Sequence, residues 1–256
     1  MILDSTIRAA LLNLRRKPAA ALLVLLAGAA AAALALRPAQ NQPSPAASSA
    51  ARTTIVLDPA HGGTDTGAHL PGNVLEKNVT LALALRLRAA LQSEGFTVIL
   101  TRDTDPPAPL TPDQRAEVAN RFHAAACIVL HATAAGSGVH IYTSTLQPIP
   151  PDPIHEPHPA FLPTPWDEAQ TPFIPRSRQL LDTLATAFHT DNLPVLFGAA
   201  PLRPLYNLLC PAVAIEIAPL PAGSGNPIPV TDPAYQTRFI NDLAHALEPL
   251  HNQPSR

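Results

Sequence analysis

The chain predicts an α/β domain: a mostly parallel, twisted sheet of about five to six strands with helices on both faces. Three observations carry this. Short apolar runs rich in β-branched residues alternate with stretches of helical spacing. Two of the runs, CIVLH and AVAIEI, are almost continuously apolar, as a strand covered on both faces requires. And 256 residues suffice for one well-cored domain of about 200 residues with a non-globular end.

In chain order, TTIVLD from Thr53 is the first strand, ended by Pro59 and the glycines Gly62 and Gly63. Val79, Leu83, Leu87 and Leu91 recur every four residues, so a helix opens near Glu76 and stops at Gly95. FTVILT is the second strand. Thr111, Pro112 and Gln114 then supply an N-cap, a proline at the first helical position and a capping-box partner for a helix reaching about His123. CIVLH is a central strand, and GVHIYT a neighbouring one set off by Gly136 and Gly138. Residues 147–175 hold ten prolines together with Phe161, Trp166 and Phe173, and form a long insertion. Ser177 to Thr190 has helical spacing, AVAIEI is the last buried strand, and Asp232-Pro233 opens a C-terminal helix.

Ahead of this domain, residues 19–36 form an uncharged apolar run, preceded by Arg8, Arg15, Arg16 and Lys17 and closed by Arg37. As a helix it spans about 27 Å, enough for a hydrocarbon core. The basic cluster keeps residues 1–18 in the cytoplasm and sends Arg37 and the residues beyond it across the membrane. The run reads as an inner-membrane anchor, with a cleaved signal as the alternative because Ala33-Leu34-Ala35 offers a small-residue cleavage pattern. Residues 37–52 are a proline-bearing tether to a catalytic domain over 53–249, which is expected in the periplasm or outside the cell. With 17 basic against 19 acidic residues the chain has no field to draw nucleic acid. Cys127 and Cys210 both sit in apolar runs and read as buried free thiols, with a bridge in an oxidising compartment as the alternative.

Four residues fall where chemistry belongs. His61 follows the first strand, Glu76 opens the first helix, His131 ends CIVLH and Glu216 ends AVAIE. Ligands of open α/β sheets bind at the carboxyl ends of strands, where three of these four residues gather. Two imidazoles and one carboxylate are the three-ligand set of a catalytic zinc, whose fourth position takes water or a substrate carbonyl. Zinc lowers the pKa of water to about 7. Glu216 is then left to take the proton and to deliver it to a leaving amine. By spacing alone other groupings of the ten histidines stay open.

The strings IVLDPAHGGTDTGA, LEKNVTLALALRL, VILTRDTD, LTPDQRAEVAN, IVLHATA, GVHIY and PAVAIEI, with DPAYQTRFINDLAHAL near the end, resemble the zinc-dependent N-acetylmuramoyl-L-alanine amidases in content and order. The resemblance covers about Thr53 to Leu247. It implies Zn2+ held by His61, Glu76 and His131, Glu216 as the catalytic glutamate, and peptidoglycan or a muropeptide as substrate. Some relatives are controlled by a blocking helix, and no such helix stands between Glu76 and His131; any activator protein is unknown. Three departures border the cleft: Ala60 and Thr133 stand where the family usually has glycine and asparagine, and Ala218-Pro219-Leu220 replaces a glycine-phenylalanine stretch. They bear on substrate preference or rate. A binding module that has lost hydrolysis and a zinc peptidase or deacetylase are the alternative readings.

Nearby residues have plainer readings. Asp58, at a strand end, either orients a ligand histidine or is a plain loop cap. Arg102 and Arg115 read as internal ion-pairing groups, with contact to the acidic peptide of the substrate as the alternative. His69 and His140 read as surface or core residues, and His155 and His158 as loop, because prolines forbid helical spacing there. Trp166 and Phe173 read as anchors of the insertion, with stacking on sugar rings as the alternative.

Overall fold

The computed structural model describes residues 53–148, 165–223 and 225–252. The anchor and tether, His155, His158, Phe161 and most of the insertion lie outside the described residues. Among the described residues no helix is long and apolar enough to cross a membrane.

The chain folds as β1 (Thr54–Pro59), a two-stranded hairpin of β2 (His69–Leu70) and β3 (Val74–Leu75), α1 (Glu76–Ser93), β4 (Thr97–Leu100) and α2 (Pro112–Asn120). Then come β5 (Ala126–Ala132), β6 (Val139–Ser144), α3 (Ile174–Thr190), β7 (Val195–Ala200), β8 (Ala212–Ile217) and α4 (Pro233–Leu247). Six strands form one sheet in the order β4-β1-β5-β8-β6-β7. The first four run parallel, β6 is antiparallel to β8, and β7 is parallel to β6. The mostly parallel sheet of the sequence reading is therefore present, with two strands reversed at one side.

Successive residues of a strand face opposite sides of the sheet, and each side has its own core. On one, α1, α3 and α4 bury Leu83, Leu87, Leu184, Phe188, Phe239 and Leu243 against Ile55, Ile128, Leu130, Ile141 and Ile215. On the other, Ala116 and Ala119 of α2 and Leu205 and Leu208 cover Val56, Cys127, Val129 and Ala214. The expected capping box forms on α2, with Thr111 and Gln114 bonding reciprocally, and Asp232 caps α4 by accepting from the Tyr235 amide.

Three sequence readings change. Cys127 and Cys210 are buried as expected but form a disulfide. The reason is register: Cys127 pairs with Ala212 across β5 and β8, Cys210 lies in the turn leading into β8, and the Cα atoms come to 6.1 Å. That separation suits a bridge. α3 starts at Ile174, so the last two residues of the insertion open its first turn and Pro175 occupies a position where the missing amide costs nothing. The edge strand β7 was not expected, since VLFGAA is mostly exposed and carries no alternating pattern.

Candidate active site

β1 ends at Pro59, and the chain turns sharply through His61, Gly62 and Gly63, all with positive φ. Gly62 and Asp65 exchange backbone hydrogen bonds of 2.9 and 3.1 Å, closing the loop. The closure sets the Asp65 carboxylate 2.9 Å from His61 Nδ1 and turns His61 Nε2 inwards, to 3.2 Å from Glu76 Oε1. Gly67 is left-handed at φ +65, and a Cβ there would lie 2.6 Å from both Glu76 Oε2 and the His61 ring, so only glycine fits beside the pair.

Glu76 is the first residue of α1, reached from the β2–β3 hairpin, and is 5% exposed. Its Oε1 lies 2.9 Å from His131 Nδ1 and accepts the Ala132 amide at 3.1 Å, while Oε2 accepts the Ala68 amide at 2.8 Å. Burial works to raise the pKa of this carboxyl. The hydrogen bonds from His131, His61, Ala68 and Ala132 outweigh it and hold Glu76 well below the usual carboxylate range. The bond to Glu76 raises His61 above the ordinary histidine value, against an opposing effect of burial and with further help from Asp65. Among the described residues this is the one group of three potential metal ligands, with ligand atoms within 4.8 Å of one another.

Glu216 sits directly beside His131 in the register of β5 and β8, on the same face. Because β6 runs antiparallel to β8, its beginning lies at this same edge, and His140 stands opposite Glu216. His140 Nδ1 is 3.0 Å from Glu216 Oε2. Tyr235 of α4 braces the two strands, its hydroxyl lying 2.9 Å from the Ala218 carbonyl and 3.2 Å from that of Gly138.

The loop that carries His61 is fastened from beneath by buried arginines. Arg115 donates to Asp58 at 2.7 Å and to the Pro59 and His61 carbonyls at 3.0 and 2.7 Å. Arg102 donates to the carbonyls of Pro59, Ala60 and Lys77. Arg115 therefore forms the internal ion pair read from sequence, whereas Arg102, equally buried, is held by carbonyls and has no carboxylate partner among the described residues. Asp58 takes neither of its two expected parts: it accepts from Arg115 and Thr101 and is the floor of the loop. Asp65 is the histidine's partner instead. Lys77 adds a strut, reaching the Gly63 carbonyl at 2.8 Å and Asp105 at 2.7 Å.

Of the neighbours, His69 is exposed on β2, whereas His140, read as a bystander, belongs to the cluster. Trp166 is tied by its indole N–H to Asp113 at 3.2 Å, as an anchor would be. Thr133, just past β5, accepts the Ala135 amide at 3.1 Å, and the Pro219 carbonyl, just past β8, accepts the Gly138 amide at 3.0 Å. Both residues follow closely on the strands that carry His131 and Glu216.

A family model described as N-acetylmuramoyl-L-alanine amidase matches residues 55–248. The germination-specific N-acetylmuramoyl-L-alanine amidase of Bacillus subtilis is 55% identical over 51 residues, 20% of this chain and 21% of its own length. N-acetylmuramoyl-L-alanine amidase AmiA of Escherichia coli is 39% identical over 87 residues, 34% of this chain and 29% of its own. The chain thus spans under a third of the length of these curated relatives. The crystal structure of the N-acetylmuramyl-L-alanine amidase Ami1 from Mycobacterium smegmatis superposes with a TM-score of 0.57 at 17% identity, covering 77% of this chain and 96% of that one. At that identity the likeness speaks for the fold.

Proposed function

Because the chain belongs to the N-acetylmuramoyl-L-alanine amidase family, we propose that it is a zinc-dependent hydrolase that cleaves the amide bond between N-acetylmuramic acid and L-alanine in peptidoglycan. The observation that carries the reading is the meeting of His61 Nε2 and His131 Nδ1 on one buried oxygen of Glu76, with Glu216 next in register. The donor set fits zinc in its chemistry: two imidazole nitrogens and a carboxylate oxygen, with His61 oriented through its other nitrogen by Asp65. Glu76, held ionised by its four donors, is already in the form a metal ligand needs.

His61, Glu76 and His131 would hold the ion. When bound, it supplies a Lewis acid that acidifies water and polarises a carbonyl. The remaining work falls to the protein. Water adds to the lactyl carbonyl carbon of the muramic acid, and Glu216 takes the proton released. Glu216 returns that proton to the alanine nitrogen as the carbon–nitrogen bond breaks, so the products are a lactyl carboxylate and a free L-alanine amine. The arginines under residues 58–61 keep the loop of His61 fixed, so the site is ready before substrate arrives.

The domain over 53–249 would act outside the cytoplasm, carried there by the apolar run at 19–36 and reaching the wall on the tether of 37–52. The Cys127–Cys210 disulfide supports this placement, since such bonds persist in oxidising compartments. The test is peptide release from purified peptidoglycan by the full-length chain. Release should need zinc, stop with chelator, and fall about 100- to 10,000-fold in Glu216→Gln with zinc still bound. Zinc binding without release would favour a wall-binding module.

A further inference from the structure

We propose that His140 is a positioning residue for Glu216: its imidazole clamps one carboxylate oxygen and leaves the other to take the proton. The inference rests on the amidase reading of the site, and nothing in the chain's resemblance to its family assigned this histidine a part.

The geometry is that of a built pair. His140 and Glu216 are cross-strand neighbours on antiparallel β6 and β8, where side chains directly opposite are in reach of each other. The Nδ1 to Oε2 distance is 3.0 Å. His140 is 7% exposed, and among the described residues its Nε2 is enclosed without a hydrogen-bond partner. The Glu216 side chain, in contrast, keeps 34% of its surface exposed. One member is enclosed and the other is open to solvent.

The ring is also held from above. Gly136 adopts φ +82, and a Cβ at that position would lie 2.7 Å from His140 Cε1 and 3.1 Å from its Nε2. Glycine there leaves the space the imidazole fills, and the loop it belongs to caps the ring. With Glu216 acting as the base its carboxylate can only accept, so Nδ1 is the donor of the shared bond. Glu216 Oε1, with no side-chain partner among the described residues, is the oxygen free to act as base. A glutamate at the open end of a strand has three torsions to wander through, and one bond from a rigid neighbour removes most of that freedom.

The experiment uses the full-length, zinc-loaded protein with a muropeptide substrate. His140→Ala should lower kcat about 10- to 100-fold while KM and bound zinc stay within about twofold of the parent. His140→Asn, whose amide can still donate, should recover most of kcat. Nitrogen-15 NMR of the His140 ring should report the Nδ1–H tautomer. A kcat unchanged in His140→Ala, a loss carried in KM or in zinc content, or an Nε2–H tautomer would each overturn the proposal. A parent that releases no peptide would instead strike the amidase reading, with the tautomer still deciding whether the clamp exists.

Discussion

The two faces of the sheet are built from the same strands and do opposite work. On β5, Leu130 and Ala132 point into the large core under α1, α3 and α4, while His131 between them points to the site. On β8, Ile215 and Ile217 flank Glu216 in the same way, and on β6 Val139 and Ile141 flank His140. One face is sealed by three helices and is apolar. The other is covered near its amino ends by α2 and the disulfide, and at the carboxyl ends of β1, β5 and β8 it is left for histidine and carboxylate. The period of two along a strand lets one packed layer hold three functional groups in register at no cost to the core behind them.

Neighbouring substitutions on β5 should break this division most sharply. His131→Ala should abolish zinc binding and peptide release yet leave thermal unfolding nearly unchanged, because the side chain is half-buried on the open face. Leu130→Ala, one residue away and 1% exposed, should cost about 2–5 kcal/mol in denaturant unfolding and leave the zinc site intact in the molecules that remain folded. Equal effects on stability would contradict the division of labour.

A smaller effect comes from the exception on the apolar face. Asp242 of α4 is buried beside Asp191, which follows α3, and its Oδ2 has no hydrogen-bond partner among the described residues. Burial, then the hydrogen bond and charge of Asp191, push its pKa from 3.8 up to about 7. An acid with a raised folded pKa binds more protons in the native state, so stability falls as pH rises between these two values and levels off above them. Between pH 5 and pH 8 the loss should be on the order of 2–3 kcal/mol. Asp242→Asn should flatten that slope in unfolding measured across pH, and an unchanged slope would place the pH dependence elsewhere.

The legibility of the sequence obeys the same physics. Strands covered on both faces announce themselves as apolar runs, and β1, β5 and β8 lie close to where TTIVLD, CIVLH and AVAIEI put them. The capping signals at Thr111 and Asp232 are local chemistry and carry over directly. β7 escaped because an exposed edge strand needs no pattern. His140 matches no functional position of the family pattern, and only the reversal of β6, which brings its beginning to that edge, sets it opposite Glu216. Asp65 depends on a left-handed turn at His61, and the disulfide on a strand register, neither of which is written in spacing. The HGGTD string and the positive φ values it encodes are the signal that would have pointed to Asp65.

The central claim is the bond that is cut, and mass analysis of the fragments released by the full-length, zinc-loaded chain tests it most directly. The account predicts glycan bearing intact lactyl carboxylates together with stem peptides that begin at a free L-alanine amine. Peptides cut within the stem, or loss of acetyl groups from the sugars with the stem still attached, would contradict it and assign the same ligand set to a peptidase or a deacetylase.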